Sequence, residues 1–140
     1  MRALHAVGVA GALLAGCSTV STFGGPEPPD GELAILEGYW RYYVFAIRIV
    51  EIRSVDGTGI GAATTVKLPP GRHRIGLRVG TILGEAGLTS DCTFEAHFEK
   101  GHRYRIRSFD DATGEADIGL EVQTLRAGVA TSGPIPCRRP

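Results

Sequence analysis

The sequence predicts an all-β protein, a single antiparallel β-sandwich of about seven strands. Two observations support this fold class. From residue 33 onward, short apolar runs alternate with Gly, Pro and Asp, which is typical of strands joined by turns. Over the same stretch, no ten consecutive residues repeat their apolar positions at helical spacing. The residues before this stretch differ in kind, and they predict a cleaved signal peptide followed by a Pro/Gly-rich tether.

The first 17 residues contain the three parts of a secretory signal. Arg2 is a basic start, an apolar run extends over residues 3–14, and small residues stand immediately before Cys17. The run is too short to cross a bilayer as a helix. A buried amphipathic helix would need a polar face, which this stretch lacks. The pattern therefore predicts export.

Residues 13–17, LLAGC, resemble the lipobox of bacterial lipoproteins. The resemblance implies a signal peptide over 1–16, a diacylglyceryl thioether on Cys17 and an acyl chain on its amine. Two or three chains anchor a domain stably, since each buried methylene contributes about 0.8 kcal/mol. Ser18 stands where many such proteins carry Asp as an inner-membrane retention signal, so the resemblance favours the outer membrane. The predicted location is the bacterial cell envelope, with the protein held by lipid.

The chain after the signal is long enough for one domain. Residues 17–31 contain small residues and three prolines, and they predict a lipidated N-terminus and flexible tether. The sandwich is predicted over 32–126 and a C-terminal tail over 127–140. Lys and Arg number 15, as do Asp and Glu. Loss of Arg2 leaves a net charge near −1, which argues against a nucleic-acid partner.

Seven strands are predicted in the sandwich. They cover residues 33–37, 39–54, 63–68, 72–82, 89–99, 102–109 and 115–124. The second strand is apolar on both parities and is predicted to be central. Asp56 and Gly57 predict a hairpin turn, and Pro70 with Gly71 predicts a turn before the fourth strand.

The fifth and sixth strands show the clearest alternation of apolar and polar residues. Antiparallel partners must share a face, and this condition predicts a three-residue loop that ends in a left-handed Gly101. The resulting register sets Phe94 opposite Ile106. On the outer face it sets Glu95 opposite Arg105.

Two stretches of these strands resemble a known family. Residues 66–75, VKLPPGRHRI, and 94–106, FEAHFEKGHRYRI, look like small bacterial envelope lipoproteins with a PEGA-like β-sandwich domain. The resemblance implies the fold and the compartment. It carries over no catalytic residue, because the Pro-Gly-Arg-His turn is a structural feature.

Two cysteines remain after Cys17, and in an oxidising compartment Cys92 and Cys137 predict a disulfide. It would close a loop of about 45 residues, to which the chain-entropy model assigns about 4 kcal/mol. Two unpaired buried thiols are the alternative, since the sequence does not give the distance between them.

The sequence predicts a non-enzymatic protein without a cofactor or a metal site. No Ser-His-Asp or Cys-His set and no metal-ligand spacing stands out. The predicted role is a structural or interaction module, held on the membrane through Cys17 and meeting other envelope proteins or an anionic polysaccharide. A module that binds glycan or peptidoglycan is the alternative.

Two surfaces are candidate binding sites. The first is the aromatic cluster of residues 39–43, with Tyr39, Trp40 and Tyr42, whose rings either stack on sugars or pack in the core of a central strand. The second is the outward row Arg103, Arg105 and Arg107, accompanied by the arginines at 72, 74 and 78. These guanidinium groups either bind phosphates of lipid headgroups or an anionic polysaccharide, or form a solvated face with carboxylates opposite.

Overall fold

A computed structural model describes residues 19–84, 86–110, 116–124 and 128–139. These residues form two β-sheets packed face to face, which confirms the predicted all-β sandwich. The strands are β1 Thr19–Ser21, β2 Ala34–Glu37, β3 Tyr39–Tyr42, β4 Ile47–Val55, β5 Thr58–Ala63, β6 Thr65–Leu68, β7 Gly71–Leu83, β8 Ala86–Phe98, β9 His102–Asp110, β10 Ala116–Thr124, β11 Gly128–Thr131 and β12 Ile135–Pro136. A single 3-10 turn, Asp30–Glu32, precedes β2. The predicted signal peptide and Cys17 lie outside the described residues.

The two sheets differ in size, and among the described residues only the larger one contains parallel strand pairs. The seven-stranded sheet has the order β1-β6-β2-β9-β10-β11, with β12 also paired to β10. The five-stranded sheet has the order β3-β4-β7-β8, with β5 also paired to β4. The pairs β1–β6 and β2–β9 are parallel, and the other described pairs are antiparallel. Among the described residues, no helix is long and apolar enough to cross a membrane.

The core lies between the sheets and is built from alternate residues of each strand. Phe98 of β8 is fully buried, and its ring centroid lies 5.0 Å from that of Tyr104 on β9 in an edge-to-face arrangement. Phe94 and Ile106 are buried beside them. The predicted inward parity of both strands is therefore correct.

The predicted pairing of these two strands is wrong. β8 pairs with β7, and β9 pairs with β2 and β10, so the two strands lie in opposite sheets. The connection after Phe98 crosses from one sheet to the other. Gly101 is left-handed as predicted, with φ +74°, and its N–H donates to the carbonyl of Leu33 at 2.7 Å. Glu95 consequently lies beside Arg72 and not opposite Arg105.

The predicted strand over 39–54 is also wrong, because it is a hairpin of β3 and β4. Tyr43 N–H donates to the carbonyl of Ala46 at 2.7 Å, and Ala46 N–H donates back at 3.4 Å. The turn residues are Val44 and Phe45, and an apolar turn interrupts no hydrophobic pattern. β4 is an interior strand nonetheless, with β7 on one side and both β3 and β5 on the other.

The predicted third strand, 63–68, is divided between the sheets. β5 ends at Ala63 in the five-stranded sheet, and β6 begins at Thr65 in the seven-stranded sheet. The hairpin turn before β5 forms as predicted, since Asp56 and Gly57 both have positive φ, +51° and +82°.

The segment predicted to be a flexible tether lies against the sheet from Thr19 onward. β1 pairs with β6, and Thr22 Oγ1 donates to the carbonyl of Lys67 at 3.0 Å. The Lys67 ammonium forms ion pairs with Glu27 and Asp30, which raise the pKa of the lysine. Part of the segment predicted to be a flexible tether is thus held on the seven-stranded sheet.

The C-terminal segment is also tied to the sandwich. β11 and β12 both pair with β10. Cys137 forms the predicted disulfide with Cys92 of β8, with the two Cα atoms 5.3 Å apart. Arg138 exchanges two backbone hydrogen bonds with Thr93, of 2.8 and 2.9 Å. The tail therefore has short strands that its sequence pattern does not predict.

Candidate functional site

The predicted aromatic cluster divides between the two faces of β3. Tyr39 points into the sandwich, where its hydroxyl lies 2.9 Å from Ser108 Oγ. Trp40 and Tyr42 are on the opposite parity and are 47% and 68% exposed. Tyr39 therefore packs in the core, which is one of the two predicted alternatives. The rings of Trp40 and Tyr42 are exposed, as the sugar-stacking alternative requires.

Trp40 and Tyr42 form an aromatic row on the outer face of the five-stranded sheet. They are two residues apart on one strand, so their Cα atoms are separated by roughly 7 Å. Trp40 pairs with Ile49, which is almost fully buried on the same face. Two exposed rings on a rigid strand can stack on a flat apolar surface such as the face of a sugar.

The turn beyond this row is the most exposed apolar feature of the described chain. Val44 is 88% exposed and Phe45 is 86% exposed, and both lie outside the predicted aromatic cluster of residues 39–43. The adjoining β7–β8 hairpin adds Leu83 and Leu88. We call this set the apolar end; it comprises Trp40, Tyr42, Tyr43, Val44, Phe45, Leu83 and Leu88.

The sequence contains only a partial signal for the apolar end. Gly84 interrupts the apolar pattern of β7 and β8, which marks a turn beside Leu83. No such signal exists at Val44 and Phe45, since Tyr43 and Ala46 flank them without a break.

The predicted arginine row on β9 is compensated by carboxylates. Arg103 and Arg105 both pair with Glu37 of β2. Arg107 Nη2 lies 2.6 Å from Glu121 Oε2 on β10. These contacts match the alternative in which the row is a solvated face with opposing carboxylates.

The second arginine row lies on β7, in the other sheet, so the two rows do not form one surface. Arg72 and Arg74 both pair with Glu95, at 2.8 and 3.4 Å. The hydrogen bond from Arg72 is the main reason that the pKa of the Glu95 carboxyl is lowered. Arg78 Nε lies 3.0 Å from Asp91 Oδ1.

His73 joins elements at the end of the sheet opposite the apolar end. Its Nδ1 lies 2.7 Å from Asp56 Oδ2, and its Nε2 lies 2.7 Å from the carbonyl of Pro69. Both neighbours are acceptors, so both contacts are hydrogen bonds only when the ring is protonated. Hydrogen bonds from His73 and from the N–H of Arg74 lower the pKa of the Asp56 carboxyl.

A cleft of about 520 Å³ lies near the β8–β9 connection. Its lining includes Asp30, His102, Arg103 and Gln123, and none of the described lining residues is Ser, Thr or Cys. His102 Nδ1 is 3.0 Å from the carbonyl of Lys100, so this ring is bound to its own turn. Within the described ranges, no three His, Cys, Asp or Glu side chains converge as metal ligands.

Comparison with family models, with curated proteins and with solved structures gave no match for this chain. The description of its class therefore rests on the structure of this chain alone. It is a disulfide-linked all-β sandwich with ion-paired outer faces and one apolar end.

Proposed function

We propose that this protein is a lipid-anchored component of the bacterial cell envelope that acts as a non-enzymatic structural or interaction module. The observation that carries the proposal is the LLAGC sequence at 13–17, which precedes β1 by a single residue, Ser18. The resemblance to PEGA-like envelope lipoproteins supports the same compartment. The outer membrane is the proposed location, because Ser18 is not the retention signal.

The surface of the sandwich supports an interaction role over a catalytic one. The outward arginines named above are paired with carboxylates, and the described residues that line the cleft near His102 include no hydroxyl or thiol nucleophile. The apolar end is the part of the described surface where large apolar side chains are exposed. Exposed apolar patches of this kind mark interaction sites.

The proposal is tested by replacing Cys17. The wild-type protein is expected in the membrane fraction, with acyl chains on an N-terminal Cys17 in its mass spectrum. The Cys17→Ala variant is expected as an unprocessed precursor without acyl chains, whereas the matched control Ser18→Ala behaves as wild type. A Cys17→Ala protein that is still processed at the same point and bound to membranes contradicts the proposal.

The proposed outer-membrane location is tested by a substitution at Ser18. Ser18→Asp introduces the retention signal that the lipoprotein resemblance implies. We expect this variant to move from the outer to the inner membrane in density-gradient fractions. An unchanged distribution contradicts the outer-membrane part of the proposal and leaves the anchor unaffected.

A glycan-binding module is the second candidate, and the exposure of Trp40 and Tyr42 on one face favours it. Trp40 is the only tryptophan of the chain, so its fluorescence reports directly on the aromatic row. Titration with peptidoglycan or capsule fragments is expected to quench Trp40. Tyr42→Ala should weaken the response, and Phe45→Ala, at the turn, should not. Emission that no fragment changes contradicts this candidate.

A further inference from the structure

The apolar end surrounds the tip of a sheet. Ile47 of β4 pairs with Ile82 of β7, so the β3–β4 and β7–β8 turns lie side by side. Val44 and Phe45 are at one turn, and Leu83 is at the other. An exposed apolar patch formed by two neighbouring turns is a docking surface that the fold itself does not need.

Exposed apolar side chains lie on both faces of this tip, and Arg41 shares the parity of the inner face. Trp40 and Tyr42 lie on the outer face of the sheet. Leu88 has the parity of the core residue Val79, yet it is 79% exposed. A glycan stacks on one face of a sheet, whereas a tip with apolar groups on both faces suits insertion into an apolar medium.

The N-terminal end of β1 faces the same end of the molecule. Thr19 pairs with Thr65, and Thr65 pairs with Glu37, so β1 begins at the level where β2 ends. β1 is parallel to β6, which is antiparallel to β2. The N-terminal end of β1 therefore points in the direction in which β2 runs.

β3 continues in this direction. Glu37 pairs with Arg105 in the parallel β2–β9 pair, and Tyr39 bonds to Ser108, three residues farther along β9. From Tyr39, β3 runs to the apolar turn. Cys17 is two residues from Thr19, a span of at most about 7 Å. The described chain therefore begins on the side of the molecule that carries the apolar end.

The charge near the turn suits a phospholipid surface. Residues 38–47 contain one arginine, Arg41, and no acidic residue. Arg41 is exposed, with its guanidinium 5.5 Å from the centroid of the Tyr39 ring. Guanidinium groups bind phosphate through charge-assisted hydrogen bonds, and Trp and Tyr side chains favour the membrane interface. The adjoining turn contains one carboxylate residue in the sequence, Glu85, outside the described residues.

We propose that the apolar end inserts into the interfacial layer of the bilayer that holds Cys17. The sandwich then stands on the membrane with Val44 and Phe45 among the lipids and with the Asp56 turn directed away from it. This inference rests on the proposed lipid anchor. It adds a second contact, made by the folded domain, which fixes the orientation of the sandwich.

The test uses the lipidated protein reconstituted into vesicles of phosphatidylcholine and phosphatidylglycerol, some of them brominated near the headgroup end of an acyl chain. Trp40 is expected to lose emission to the brominated lipid, to shift to shorter wavelength and to be shielded from aqueous acrylamide. Phe45→Glu should reverse all three effects while the protein stays on the vesicles. Thr58→Glu adds the same charge at the exposed opposite hairpin and should change none of them.

Each other outcome has a distinct meaning. Anchored protein whose Trp40 is not quenched by brominated lipid overturns this inference and leaves the proposed function intact. Shielding from acrylamide without lipid quenching overturns it in favour of a second copy or another protein over the apolar end. A mass spectrum without acyl chains contradicts the proposed lipid anchor, and it also contradicts the proposed orientation, because that orientation depends on the anchor.

Discussion

The strand β4 reaches both ends of the five-stranded sheet, and the turns at these two ends differ in how their side chains are used. At one end, Asp56 and Gly57 adopt the left-handed conformation of a tight hairpin, and His73 ties this turn to the chain beside it. At the other end, Val44 and Phe45 project into solvent from a turn closed by backbone hydrogen bonds. The first turn stabilises the fold, whereas the exposed side chains of the second lose little packing if they are removed. Apolar groups that the fold does not use are available for a partner.

Two phenylalanines make this contrast measurable. Phe98 is fully buried between the sheets, so Phe98→Ala is expected to lower the free energy of unfolding by about 3–5 kcal/mol. Phe45→Ala is expected to change it by less than about 0.5 kcal/mol, because an exposed side chain loses little packing. Urea unfolding of both variants gives the comparison. A loss at Phe45 close to that at Phe98 would show that the turn is structural.

The disulfide provides the next largest effect. Cys137→Ser is expected to lower the free energy of unfolding by up to about 4 kcal/mol, since it releases the constraint on the unfolded chain. It should also speed proteolysis of the segment that β12 and Arg138 hold in place. Limited proteolysis and urea unfolding are the measurements. Two free thiols in the denatured, non-reduced wild type would rule out the bond.

The sequence predicts which residues face the core better than it predicts strand partners. The inward parity of Phe94, Phe98 and Tyr104 follows from alternation, and all three are buried. Alternation constrains a face, however, and strands in opposite sheets share an interior as fully as paired strands do. A three-residue connection ending in left-handed Gly101 is compatible with a hairpin and with a crossing between sheets.

The apolar end shows the complementary limit. The turn at Asp56 and Gly57 can be predicted from the sequence, because its left-handed backbone conformation restricts the residue types that can form it. Val44 and Phe45 form a turn without positive φ, so nothing local distinguishes them from strand residues. The chemistry of Trp40 and Tyr42 predicts them as site residues, whereas their exposure follows only from the position of the β3–β4 hairpin at the end of the sheet.

The smallest effect concerns the ionised Asp56 carboxylate. Its lowered pKa means that its contribution to stability is complete above the ordinary aspartate value, about 3.9, and is lost as the pH falls through the folded-state pKa. Asp56→Asn removes this contribution. The stability difference between wild type and variant should therefore shrink as the pH falls from about 5 through the folded-state pKa of Asp56. Thermal unfolding across this range checks the trend, and a difference that grows on acidification has the wrong sign.

The comparison of the two ends is tested most directly by hydrogen exchange on the lipidated protein bound to vesicles and on residues 18–140 free in solution. We predict that the membrane slows exchange at the backbone amides of residues 43–46 and 83–88, because lipid excludes water from the apolar end. Exchange at Asp56 and Gly57 should be the same in both samples. Equal exchange at both ends of the sheet, or slowing at Asp56 and Gly57 instead, would contradict the account.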